Sequence, residues 1–133
     1  MSRPVVRVVS AEIQQEGRYL LTQRSSHAVL PDLWEFPGGR VRAGESDSDA
    51  LVRALSHRIG ATPLVGEQVL EVTHAYDEYN VVLSVYTCSL GDTAPTDAAV
   101  QAIAWVSPEE FGDYPFPPAD EATVKALVSA LDQ

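Results

Sequence analysis

The stretch from Ser46 to Gly60 constrains this chain more than any other. Leu51, Leu55 and Ile59 recur at i, i+4 and i+8, which puts apolar side chains on one side of an α-helix. Ser46 stands where an N-cap belongs, with Asp49 three residues on as a short variant of the capping box. Asp47 and Asp49 complement the positive end of the helix dipole. Gly60 can take the left-handed conformation that ends helices. The spacing predicts a helix over 46–59 with one buried face. That face needs a surface to pack on.

Strands supply it. Val5-Val6-Arg7-Val8-Val9 through Ile13 reads as a strand, Gln15–Arg18 as a turn, and Tyr19–Arg24 as the returning arm of a hairpin. Residues 25–33 read as a loop, and Trp34–Gly39 as one short extended segment ending in a glycine turn. Val65–Ala75 and Val81–Leu90 are strands around the turn Tyr76–Asn80, whose two tyrosines need no functional explanation. Val100–Val106 is a further strand. A second helix is expected over 119–131, burying Val124, Leu127, Val128 and Leu131. The order β-β-β-α-β-β-β-α, with no repeat or linker, predicts one α+β domain over 1–133.

With 45% hydrophobic residues the chain can fill a core. No apolar run approaches the roughly 20 residues of a membrane span. Met1–Pro4 leads straight into a short apolar alternation, unlike a secretory signal, so a cytoplasmic protein is expected. The single cysteine, Cys88, lies in an apolar run and is expected to be a buried, inert thiol. The net charge of −10 is unevenly placed: residues 1–60 carry eight Lys/Arg against seven Asp/Glu, residues 61–133 one against twelve. Such acidity argues against a nucleic-acid polymer as partner. Five arginines between Arg24 and Arg58 leave room for a small anion.

Gly39, Glu45, Arg53 and Gly60 stand in a fixed register, five residues separating the first pair and seven the second. Leu33-Trp34-Glu35-Phe36-Pro37-Gly38 precedes them, and Tyr114–Glu121 follows near the C-terminus. This arrangement resembles the Nudix family, whose signature is G-x5-E-x7-R-E-U-x-E-E-x-G-U with U a bulky aliphatic residue. Both flanks are similar to the MutT-like branch. The resemblance covers nearly the whole chain and implies the Nudix fold, a mixed β-sheet sandwiched between α-helices. It also implies hydrolysis of nucleoside diphosphates linked to another moiety, with a divalent metal positioning water and neutralising phosphate.

The signature's other glutamates are absent. Magnesium wants hard oxygen ligands, which a helix delivers at i, i+3 and i+4; here those positions, on one face, are Ala54, His57 and Arg58. A further acidic ligand of the family aligns with Ala99. The local charge differs from the family pattern by roughly four units, and unit charges about 4 Å apart interact by about 4 kcal/mol at an effective dielectric near 20. The expectation is a MutT-like protein with a degenerate box, a pseudoenzyme needing no cofactor.

Glu45, the one retained signature glutamate, is either a metal ligand or, as favoured here, a partner of Arg53 or of turn amides. Arg53 is expected to pair with Glu45 or Glu35. His57 is a lone metal ligand, a general base, or simply a polar helix residue. Arg58, with Arg40 or Arg42 beside it, could grip phosphate without metal. By the resemblance, Arg24 and Asp120 occupy positions that contact the purine base; Asp120 is equally a plain helix N-cap. Phe36 and Phe116 line the same pocket or pack the core. The expected nucleotide-binding set is Arg24, Glu35, Phe36, Gly38, Gly39, Arg58 and Asp120. Three functions stay open: a non-hydrolytic binder of a nucleotide-like molecule, a magnesium-dependent pyrophosphohydrolase recruiting Glu45, Glu71 or Asp77, and a protein-interaction module. A homodimer is possible by analogy.

Overall fold

Everything is arranged about one strand, β1 (Val5–Gln15), whose residues alternate between two buried faces. The computed structural model describes residues 3–132. β1 runs parallel to β6 (Asn80–Ser89), from Val5 beside Asn80 to Ile13 beside Cys88. On its other side it pairs antiparallel with β4 (Gly38–Arg40), Ser10 opposite Gly38 and Val8 opposite Arg40. β5 (Leu64–Ala75) lies antiparallel on β6. Beyond Gln15 the chain reverses through Glu16 and Gly17, both at positive φ (52° and 79°), which is the two-residue turn that matches strand twist. The returning β2 (Arg18–Gln23) carries β3 (Trp34–Glu35) on one side and β7 (Ala102–Val106) on the other, both antiparallel.

The segment Trp34–Gly39 is therefore two strands, not one. β3 serves β2 and β4 serves β1, giving seven strands among the described residues in place of the expected six. The crossing falls at Phe36 and Pro37. Proline offers no N–H to a ladder, and its carbonyl instead accepts the Ala11 N–H at 2.8 Å.

Leu20 and Leu21 are consecutive and point to opposite faces, as strand geometry requires. Leu20 joins a core with Val9, Ala11, Ile13 and the helix α1 (Asp47–Ile59). Leu21 joins Phe36, Val106 and Phe111 under the helix α2 (Glu121–Ser129). The sheet is thus sandwiched between helices. α1 follows its sequence signals: Ser46 Oγ accepts the Asp49 N–H at 3.1 Å, and Gly60 stops the helix at φ 63°. Leu51, Leu55 and Ile59 are fully buried, each contributing about 1.5–3 kcal/mol by removing apolar surface from water.

α2 is shorter than its apolar pattern suggests. A 3-10 turn, Pro118–Asp120, precedes it, and another, Ala130–Asp132, follows. Thr123 is its buried residue, with Val124 and Leu127 packed against the second core. Val128 and Leu131 are 40% and 45% exposed, against expectation. Val128 lies about 100° around the helix from Leu127, and Leu131 falls after the α-helix has ended. No helix is long and apolar enough to cross a membrane among the described residues.

Candidate functional site

Val81, Leu83 and Ala119, from a third buried cluster that also holds Val85, form with Val6 and Val8 the floor of a cleft of about 230 Å3. Above that floor the cleft is lined by β4 and Arg58, by the loop residues Val29 and Leu30, by Tyr76 and Tyr79, and by Asp120. All seven residues of the expected nucleotide set (Arg24, Glu35, Phe36, Gly38, Gly39, Arg58 and Asp120) border this one cavity.

The two glycines are there because β4 lies too close to its neighbours for any side chain. A Cβ on Gly38 would stand 1.9 Å from the Val9 carbonyl oxygen, and one on Gly39 would stand 2.8 Å from Cβ of Ala54. Phe36 is buried, stacked on Phe116 at 5.6 Å and edge-on to Phe111. Both Phe36 and Phe116 are core residues, and only Phe36 also borders the cleft.

Glu35 is the electrostatic centre. Its Oε2 accepts from Arg24 Nη1 at 3.1 Å, and its Oε1 lies 3.9 Å from Arg58 Nη1. The first is a hydrogen bond; the second is too long to be one. Arg24 also donates from Nε to the carbonyls of Val29 and Leu30 (3.0 and 3.1 Å) and from Nη2 to Val29 at 2.5 Å. It thereby holds a loop in which Leu30 and Asp32 have positive φ. Arg58 is half-buried beside Gly39, its guanidinium not fastened by Glu35.

Asp120 is 6% exposed and does not cap α2 with its side chain, so the plain capping reading fails. Burial pushes its carboxyl well above the usual range, the nearby negative Glu35 adds to this, and Arg24 opposes it.

Glu45 lies outside the cleft. Arg53 binds it through two hydrogen bonds of 2.8 and 2.9 Å, and the Arg42 N–H adds a third at 3.0 Å. Arg53 foremost, then the Arg42 amide, holds its pKa down at about 2. Of the two partners expected for Arg53, the fold selects Glu45 over Glu35. Arg40 borders the cleft; Arg42 does not, lying in a neighbouring surface groove.

Ala54, His57 and Arg58 share a side of α1 by angle yet meet three environments. Ala54 is buried against β4, His57 is exposed, and only Arg58 reaches the cleft. Ala99 donates its N–H to the Arg58 carbonyl at 2.9 Å, so its loop closes the end of α1. Glu71 and Asp77 are exposed on β5 and on the turn after it. Among the described residues no three His, Cys, Asp or Glu side chains converge as a metal-binding group. Cys88 is half-buried, not fully buried, and burial raises its pKa to about 11.

Three polar cleft residues had no place in the sequence expectation. Tyr76 and Tyr79 are stacked at 5.3 Å, and the Tyr76 hydroxyl accepts the Ala119 N–H at 3.3 Å. Their i, i+3 spacing about a turn was the available signal. Ser10 lines the floor, and the only trace of it in the sequence is a hydroxyl within an apolar run.

The family described as NUDIX domain matches residues 8–126. CTP pyrophosphohydrolase of Escherichia coli K12 is 35% identical over 127 residues, spanning 94% of this chain and 93% of that protein. The solution structure of the E. coli ORF135 protein superposes with a TM-score of 0.80 at 33% identity, covering 98% of this chain and 92% of that one. The solution structure of MutT, a Nudix-family hydrolase from methicillin-resistant Staphylococcus aureus 252, gives 0.78 at 34% identity, covering 97% and 99%. Fold, signature frame and relatives agree: the chain belongs to the Nudix family, among its MutT-like proteins.

Proposed function

We propose that the cleft binds a nucleotide or related phosphate compound, with little or no metal-dependent hydrolysis. The observation that carries this reading is the pairing of Arg58 with Glu35. The family places a metal-holding glutamate at position 58; here a cation stands there, 3.9 Å from Glu35 and outside hydrogen-bond range. A guanidinium so placed has donors to offer a phosphate in a two-pronged grip. Arg40, on the adjoining strand, adds a second positive charge at the same cleft.

The remaining residues do not fit magnesium. Ala54 has no donor atom, His57 is exposed, and both oxygens of Glu45 are engaged by Arg53. A hard divalent cation needs several oxygens, and bringing it beside Arg58 adds repulsion.

The test is calorimetric titration of CTP, dCTP, GTP and dGTP, each with excess magnesium and again with EDTA. The expected result is binding that survives EDTA. Absence of heat with all four nucleotides would sink the reading.

The similarity to CTP pyrophosphohydrolase favours a second reading, an active pyrophosphohydrolase relying on Glu45. It requires pyrophosphate release with magnesium or manganese, abolished by Glu45→Gln in a protein whose circular dichroism is unchanged.

A further inference from the structure

The floor of the cleft is apolar except at one point. On β1, Val6, Val8 and Ser10 face it; on β6, Val81 and Leu83 complete that surface. Ser10 is 3% exposed, and its Oγ has no hydrogen-bond partner among the described residues. Its neighbours offer none: Val85 stands beside it on β6, and on β4 its partner is Gly38, which has no side chain. A buried hydroxyl left without a bond destabilises the folded protein relative to a methyl group in the same place. In a cavity wall, that hydroxyl is a group held ready for something that enters.

We infer that Ser10 is a specificity-determining residue whose hydroxyl bonds an uncharged polar atom of the nucleoside part of the ligand. The inference rests on the nucleotide reading proposed for the cleft. An uncharged atom fits because Val85 stands beside Ser10 and Val8 and Leu83 follow on the same face, and a phosphate stripped of water against them would not be stabilised. The cationic end of the cleft lies elsewhere. Arg40 is opposite Val8, two residues back along β1, or roughly 7 Å away at strand spacing. A phosphate held by Arg58 and Arg40 would leave the sugar or the base over Ser10. Either can supply the partner, as a sugar hydroxyl or as a ring or exocyclic atom of the base.

The two roles of the hydroxyl pull in opposite directions, and this makes the idea testable. Ser10→Ala should raise the melting temperature of the ligand-free protein by about 2–4 °C, because it removes an unsatisfied polar group. The same change should weaken CTP binding, measured in EDTA, by about fivefold or more. Thr123 is a matched control: its Oγ1 is likewise buried without a partner among the described residues, but it belongs to the buried side of α2 and lies outside the cleft. Thr123→Val should raise the melting temperature and leave CTP affinity unchanged.

A penalty with CTP but not dCTP assigns the partner to the 2′-hydroxyl of the sugar; equal penalties assign it to an atom the two nucleotides share. A fall in melting temperature for Ser10→Ala would overturn the proposal, since it would mean that the hydroxyl has a structural partner. So would tight CTP binding by the parent protein that Ser10→Ala leaves untouched. If the parent binds neither nucleotide, the nucleotide reading has failed and this proposal falls with it.

Discussion

Arg53 takes both oxygens of the Glu45 carboxylate, Nε on Oε2 at 2.8 Å and Nη2 on Oε1 at 2.9 Å. Nη2 also donates to the Arg40 carbonyl at 2.7 Å. One guanidinium on α1 thus fastens the end of β4 and the loop that follows it. The signature glutamate and arginine are here parts of a brace.

The brace has a pH signature. The Glu45 pKa falls to about 2 from an ordinary 4.5. A depressed carboxylate adds stability that is complete above the ordinary value and lost as pH falls through the depressed one. Glu45→Gln should therefore melt below the parent at pH 7, and the gap should close between about pH 4.5 and 2. Thermal melts of both proteins across that range check it. A gap independent of pH would mean that the charge is not what stabilises.

Asp120 should behave in the reverse sense. Its pKa is raised in the fold, so the charged form is disfavoured and stability declines as pH rises from the unfolded carboxylate range through the raised value. Asp120→Asn should melt higher than the parent at neutral pH, the advantage vanishing in acid. Comparing the two proteins at pH 7 and pH 3 decides the matter. If Asp120 also faces the ligand, the same variant should weaken CTP binding.

Contact between β4 and α1 is tight enough to be tested by a methyl group. A Cβ on Gly39 would stand 2.8 Å from Cβ of Ala54, so Gly39→Ala should cost about 1–3 kcal/mol of overpacking strain. Adding Ala54→Gly should recover much of it, because the two changes act on one contact. Urea unfolding of the single and double variants measures the coupling, and strict additivity would argue against direct contact as the cause.

The metal-free binding proposed for the cleft turns on Arg58. Arg58→Gln should weaken CTP binding in EDTA by about tenfold or more, the range for hydrogen bonds to a charged group. Arg42→Gln, outside the cleft, should not. Conversely, Ala54→Glu, His57→Glu and Arg58→Glu together should raise magnesium-dependent pyrophosphate release above that of the parent. Release assays on the parent and the triple variant, with magnesium or EDTA, check this outcome.

Much of this was legible in the sequence, for reasons that differ by residue. Ser46, Asp49 and Gly60 act on backbone within a turn of themselves, so the bounds of α1 followed from local chemistry. Leu51, Leu55 and Ile59 needed only helical periodicity. The cleft was harder, because its floor joins residues from distant strands. Parity along β1 puts Ser10 on the same face as Val6 and Val8, but a strand apolar on both faces hides parity from the reader. Tyr76 and Tyr79 looked like turn residues because nothing local says that the turn folds back to meet Ala119. Leu131 was misplaced because apolar spacing does not mark where a helix ends, and Val128 because an apolar residue about 100° from Leu127 falls off the buried stripe.

The parallel pairing of β1 with β6 governs the order in which the molecule can assemble. Val5 lies beside Asn80 and Ile13 beside Cys88, so β1 must wait during synthesis for β6 before it gains that neighbour. The β1–β2 hairpin and α1 can form early from nearby residues. The cleft floor cannot, since closing a long loop must precede its contacts. A nascent chain that has not yet released Ser89 therefore leaves the inner edge of β1 open. During synthesis, this edge is where a chaperone, or another unfinished copy, would first find something to hold.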